Sequence, residues 1–140
     1  METVFIYPLF APTQEMFNKN LRSLVSWFDY CDHYGYKVKF AIGGWCADQY
    51  WQWFSEVVSR RNPNDRLAMC RFDKNYGKAV VVNTLYKQVE QSGVGFKYIL
   101  TADSDIVFPI ETANMIERLE ELAVQSNLWI SFVYMGFWIA

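Results

Sequence analysis

The feature that most constrains this chain is an alternation of short apolar runs with longer stretches of helical periodicity. Residues 4–9 are apolar, rich in β-formers and aromatics, and closed by Pro8 and Pro12. Such a run reads as a buried strand. Pro12 suits the first turn of a helix, with Gln14 and Glu15 near its positive end. Phe17, Leu21, Leu24, Val25 and Phe28 then recur at helical spacing, and Gly35 lies just past the expected end.

The pattern repeats three times. Residues 36–42 read as a second strand, ended by Gly43-Gly44, before a helix from about Ala47 with Tyr50, Phe54, Val57 and Val58 as its buried stripe. After a polar loop over 60–65, residues 66–72 form a third strand. A third helix follows Gly77 to about Gln91, with Val82, Leu85, Tyr86 and Val89 on one face. Residues 96–102 form a fourth strand. Pro109 and Glu111 open a fourth helix, with Ile116, Leu119 and Ala123 on its apolar side, and residues 128–137 form a fifth strand. This order predicts an α/β fold: a Rossmann-like three-layer αβα sandwich around a mostly parallel sheet.

A chain of 140 residues suits a single domain, 1–140. Its apolar finish suggests truncation of a longer parent at the C-terminus. The net charge of −2 shows no basic stripe, so nucleic acid is not an expected partner. No stretch reaches the roughly 18 apolar residues that span a membrane. The start lacks the basic and long apolar segments of a signal peptide. Cys31, Cys46 and Cys70 are odd in number and widely spaced, which indicates neither a disulfide framework nor a zinc site and fits a reducing cytoplasm. Aromatics make up 19% of the chain, and the plain reading is that they fill the core.

Open parallel sheets bind ligands beyond the carboxyl ends of their strands. The strongest candidate there is Asp103-Ser104-Asp105, two carboxylates directly after an apolar strand. Carboxylates this close repel unless a cation sits beside them, and hard oxygen donors suit Mg²⁺ or Mn²⁺ completed by phosphates. The plain alternative is a polar turn with two solvated aspartates. Side chains that point apart into bulk solvent, or that are locked in bridges to lysine or arginine, would rule the cation out. Asn75 to Lys78, with Gly77 between a strand and a helix start, suits an anion, with Lys78 adding positive charge. An ordinary strand–helix connection explains the same residues.

Asn75-Tyr76-Gly77-Lys78 with Asn83, followed by Tyr98-Ile99-Leu100-Thr101-Ala102-Asp103-Ser104-Asp105, resembles the core of family 2-type glycosyltransferases of the GT-A fold. The resemblance implies a metal-dependent transfer of sugar from a nucleotide diphosphate sugar to an acceptor. It implies that Asp105 coordinates the metal directly, and that Asp103 contacts the ribose or the metal through water. Ser104 lies between them in the donor site. Pro8 and Leu9 would line the base pocket, with Asn75 and Lys78 near the nucleotide. Where relatives carry an acid after the second strand to hold the base, this chain has Gly43-Gly44-Trp45, and Asp48 is the nearest acid. Trp45 could stack on a base or simply pack.

No catalytic base is assigned, because Glu111 and Glu117 fall on the last helix and read as solvent-facing. His33 reads as a helix-end residue without a role. Trp51 and Trp53 read as packing or an interface. Two other functions stay open. A nucleotidyltransferase would need a glycine- and arginine-containing loop after the first strand, where this chain has Pro8-Leu9-Phe10-Ala11-Pro12. A non-catalytic assembly module would use the apolar C-terminal strand as a homo-oligomer or partner surface.

Overall fold

The structure is a computed structural model that describes residues 3–61, 63–111 and 115–126. In chain order the elements are β1 (Thr3–Ala11), α1 (Gln14–Tyr34), β2 (Lys39–Cys46), α2 (Asp48–Arg60), β3 (Arg66–Arg71), α3 (Lys78–Gln91), β4 (Tyr98–Thr101) and α4 (Met115–Ser126). A single 3₁₀ turn, Pro63–Asp65, leads into β3. The four strands form one sheet in the order β3-β2-β1-β4, and every pairing is parallel. This is the expected α/β class.

Period-2 alternation assigns each strand residue to a layer. Phe5, Tyr7, Leu9 and Ala11 of β1 face the layer of α1, α2 and the start of α4. Val4 and Ile6 face α3, against Val81, Leu85 and Val89. The aromatics gather mainly in the first layer. Phe5, Tyr7, Phe17, Trp27, Phe28, Tyr30, Phe40 and Phe54 are all essentially without solvent exposure there. Phe5 and Trp27 approach to 4.1 Å between centroids, and Phe17 stacks on Tyr50 at 4.7 Å. The high aromatic content is thus accounted for chiefly by packing.

Helix α1 begins where Thr13, extended at φ −126°, accepts a hydrogen bond from the Met16 N–H at 3.3 Å. It ends at Gly35, left-handed at φ 68°, where the chain must turn away. Helix α2 buries Tyr50, Phe54 and Val58, with Val57 half-buried.

Four expectations need correction. The second strand does not end at the glycine pair but runs through it to Cys46. Those glycines are close-approach positions. A Cβ on Gly43 would strike the Cys70 carbonyl, and one on Gly44 would strike the Leu9 backbone. On α3 the buried stripe is Val81, Leu85 and Val89, while Tyr86 is exposed. Pro109 and Glu111 precede α4 rather than opening it. Glu117 is half-buried and accepts a hydrogen bond from the Tyr36 hydroxyl at 2.7 Å. The expected fifth strand over 128–137 and Ala123 as a packing residue lie outside what is described. No helix among the described residues is long and apolar enough to cross a membrane.

Candidate functional site

The strand order reverses direction between β1 and β4. Crossovers from β1 proceed through α1 and α2 to β2 and β3, and α3 then returns on the opposite face to place β4 beside β1. Connections leave on opposite faces at this point and open a crevice above the carboxyl ends of the strands. The β1–β4 register stops at Ile6↔Thr101, so 7–11 extend past their neighbour. There a cleft of about 400 Å³ is lined by Pro8, Leu9, Phe10, Met16, Trp45, Asn75, Tyr76, Gly77, Lys78, Val81, Asp103, Ser104 and Asp105.

The lining has two characters. Pro8, Leu9, Phe10, Met16 and Trp45 make an apolar section, with the Phe10 and Trp45 rings 5.6 Å apart. Asn75, Lys78, Asp103 and Asp105 supply the charge and the amide. The start of α3 contributes Gly77 at φ 89°, a conformation that glycine adopts freely. The Asn75 side-chain oxygen accepts from the Gly77 N–H at 3.0 Å and shapes this turn.

The structure therefore brings Pro8, Leu9, Asn75, Lys78, Asp103, Ser104 and Asp105 to one cleft. It does not bring Asp48 there. The Asp48 carboxylate, on the first turn of α2, pairs with the Arg71 guanidinium, which also donates to the Cys46 carbonyl at 3.2 Å. Trp45 takes the place at the end of β2. His33 is exposed, edge-on to Tyr34, and Trp53 is half exposed beside Phe17.

The two acids are not equivalent. Lys78 Nζ stands 2.5 Å from Asp103 Oδ1. Asp103 is thus bridged to a lysine, the arrangement that would rule the cation out if it were locked. Asp105 is exposed and has neither an ion pair nor a hydrogen bond to its carboxylate among the described residues. The Lys78–Asp103 pair is itself half exposed, at 51% and 66%, so it is worth about 0–1 kcal/mol and is readily exchanged. No cluster of three or more His, Cys, Asp or Glu side chains able to hold a metal occurs among the described residues. Two carboxylates fit Mg²⁺ or Mn²⁺ only when phosphate oxygens and water complete the shell, which is how these ions are commonly held.

Sequence reasoning passed over the residues that brace this cleft. Asn20 is fully buried on α1, and its amide donates to the Phe10 carbonyl at 3.0 Å while accepting from the Phe10 N–H at 3.2 Å. It therefore serves the backbone of β1 past the last β4 pairing. The available signal was a polar residue on an otherwise apolar helical stripe between Phe17 and Leu24.

The fold and cleft define the class: a parallel α/β domain with helices on both faces of its sheet and an open crevice beyond the carboxyl ends of the strands. Among solved structures it is similar to the crystal structure of S. aureus TarS 1–349, which matches 91% of this chain with a TM-score of 0.53 at 16% identity. This chain spans 33% of the length of that one. No protein-family profile and no curated protein matches the sequence.

Proposed function

We propose that the chain is the donor-binding part of a glycosyltransferase that takes a nucleotide diphosphate sugar, with Asp103 and Asp105 holding Mn²⁺ or Mg²⁺. The observation that carries the reading is the cleft itself. One cleft at the β1–β4 switch point joins an apolar, aromatic section to a lysine, a helix start and two carboxylates. A nucleoside diphosphate has the matching parts: a flat base, a ribose and a dianionic tail.

On this reading the base lies among Pro8, Leu9 and the Trp45 and Phe10 rings, with the ribose toward Asp103. The diphosphate faces Lys78 and the first N–H groups of α3. Asp105 would hold the cation directly, and Asp103 would join it if Lys78 turned to phosphate. The cation, when bound, supplies charge that stabilises the departing diphosphate. The chain's own contribution is to bind and orient the donor. The acceptor and the catalytic base are not assigned.

Calorimetry of the full chain with UDP and GDP, with and without MnCl₂, tests the reading. Binding is expected with Mn²⁺ and is expected to weaken strongly without it. Failure to bind either nucleotide with the metal present would overturn the reading. It would favour an assembly module, for which the half-exposed Trp53 would be the first surface to examine.

A further inference from the structure

The segment that follows β4 is short of secondary structure from Ala102 to Glu111, yet it carries both acids of the cleft. Exposed loops of this kind ordinarily sample many conformations. Here successive backbone groups are taken by side chains of β1 and α1. The Tyr7 hydroxyl lies 2.9 Å from the Ser104 carbonyl oxygen and 3.1 Å from that of Asn20. The Ser23 hydroxyl donates to the Ile106 carbonyl in a short contact. The Ser26 hydroxyl accepts from the Phe108 N–H at 2.9 Å and donates to the Ser23 carbonyl at 2.6 Å. One further bond, from the Ile106 N–H to the Asp103 carbonyl at 3.3 Å, closes the turn on itself.

These groups are placed where a hydroxyl has a cost. Tyr7 and Ser23 are fully buried, at 0% exposure. A buried hydroxyl without a partner is destabilising, and a satisfied one adds direction that apolar packing lacks. Burial pushes the Tyr7 phenol well above the usual tyrosine range, so it remains a donor. Phe108 then locks the far end by packing edge-on against both Phe5, at 5.9 Å, and Trp27, at 5.0 Å.

We propose that Tyr7, Ser23 and Ser26 are positioning residues that hold the 103–108 backbone in one conformation and thereby set where the Asp103 and Asp105 carboxylates stand in the cleft. The part concerning ligand affinity rests on the donor-binding reading above. The part concerning the backbone does not. None of the three hydroxyls lines the cleft, so their influence is indirect. Misplacing two ligands of a small, geometrically strict cation by a fraction of an ångström weakens it disproportionately.

The experiment compares the full chain with Tyr7→Phe, Ser23→Ala, Ser26→Ala and Ser26→Thr. Ser26 is half-buried, and Ser26→Thr keeps the hydroxyl. Two quantities are read. One is amide hydrogen exchange of residues 103–108. The other is UDP affinity with and without MnCl₂, measured well below each variant's unfolding midpoint. The first three variants are expected to exchange faster in 103–108 while the β1 and β2 amides stay protected. They are expected to lose roughly threefold to tenfold in affinity with Mn²⁺, as befits one lost hydrogen bond, and little without it. Ser26→Thr should behave as the parent chain.

Unchanged exchange in 103–108 would overturn the proposal. So would faster exchange with Mn²⁺-dependent affinity intact, or equal losses with and without the metal, since either describes a purely structural role. If the parent chain binds no nucleotide at all, the donor-binding reading and the proposed effect on ligand placement fall together, while the exchange data still decide whether the three hydroxyls hold the segment.

Discussion

Lys78 Nζ stands 2.5 Å from Asp103 Oδ1, which ties the first turn of α3 to the acidic turn after β4 across the mouth of the cleft. The pair offsets one of two neighbouring negative charges without a metal. On the donor-binding reading it also sets up a competition, because a cation would seek the carboxylate that Lys78 holds. A diphosphate would resolve it by drawing the lysine away. Cation and nucleotide should therefore bind with positive coupling.

Lys78→Gln isolates that coupling. With no nucleotide present, Mn²⁺ affinity should rise about twofold to fivefold, the range expected for releasing a half-exposed ion pair. With Mn²⁺ present, UDP affinity should fall, because a phosphate contact is lost. Calorimetry of each binding step reads both, and an unchanged Mn²⁺ affinity would show that the pair does not restrain Asp103.

Asp105→Asn should affect binding more than Asp103→Asn. Asp105 has no ion-pair partner among the described residues, whereas Asp103 already spends part of its charge on Lys78. The expected result is loss of the Mn²⁺-dependent part of nucleotide binding in Asp105→Asn, with an unfolding midpoint near that of the parent. Equal behaviour of the two variants would contradict this ranking.

Trp45→Ala tests the aromatic section of the cleft. Removing a ring on which a base stacks is worth about 1–3 kcal/mol, so nucleoside diphosphate affinity should drop about fivefold or more. Affinity for inorganic pyrophosphate should be unaffected, since the ring touches no phosphate on this reading. A parallel loss for both ligands would mean that Trp45 acts through packing against Phe10.

Gly44→Ala should be among the most damaging single substitutions. Gly44 sits at φ 149°, in a region that side chains rarely adopt, and a Cβ there would collide with the Leu9 backbone in the neighbouring strand. A strained backbone of this kind costs about 1–3 kcal/mol before the collision is counted. Thermal or urea unfolding should register a loss of roughly 2 kcal/mol or more. A neutral result would require the β1–β2 pairing at Leu9↔Gly44 to open without cost.

The thiols give a pH dependence. Burial pushes Cys31 up to about 12 and Cys46 up to about 11, from an ordinary 9.0. A raised thiol pKa means that the folded state holds its proton where the unfolded chain releases it. This contribution is fully present below pH 9 and is lost as pH rises from about 9 toward 11–12. Unfolding measured between pH 8 and 11 should show falling stability, and Cys31→Ala should make the decline shallower. Below pH 9, Cys70 should label with a thiol reagent before Cys31 and Cys46, which are buried.

Much of the architecture could be read from residue order because it depends on local periodicity. Apolar runs alternating with amphipathic stretches leave few arrangements other than a parallel sheet between helices. The acids at 103 and 105 are local too, in that their place just past the end of β4 is read directly from residue order. Other features depended on approaches between segments far apart in sequence. Gly43 and Gly44 read as a strand terminus, and only the neighbouring Leu9 and Cys70 backbones make them interior close-contact residues. Asp48 was the nearest acid along the chain, but Arg71, 23 residues later, claims it. The bond from Tyr7 to Ser104 joins residues 97 apart, and that from Ser23 to Ile106 joins residues 83 apart. Periodicity reports which face a side chain takes, whereas a buried hydrogen bond depends on where two faces meet, and that is decided only when the sheet is assembled.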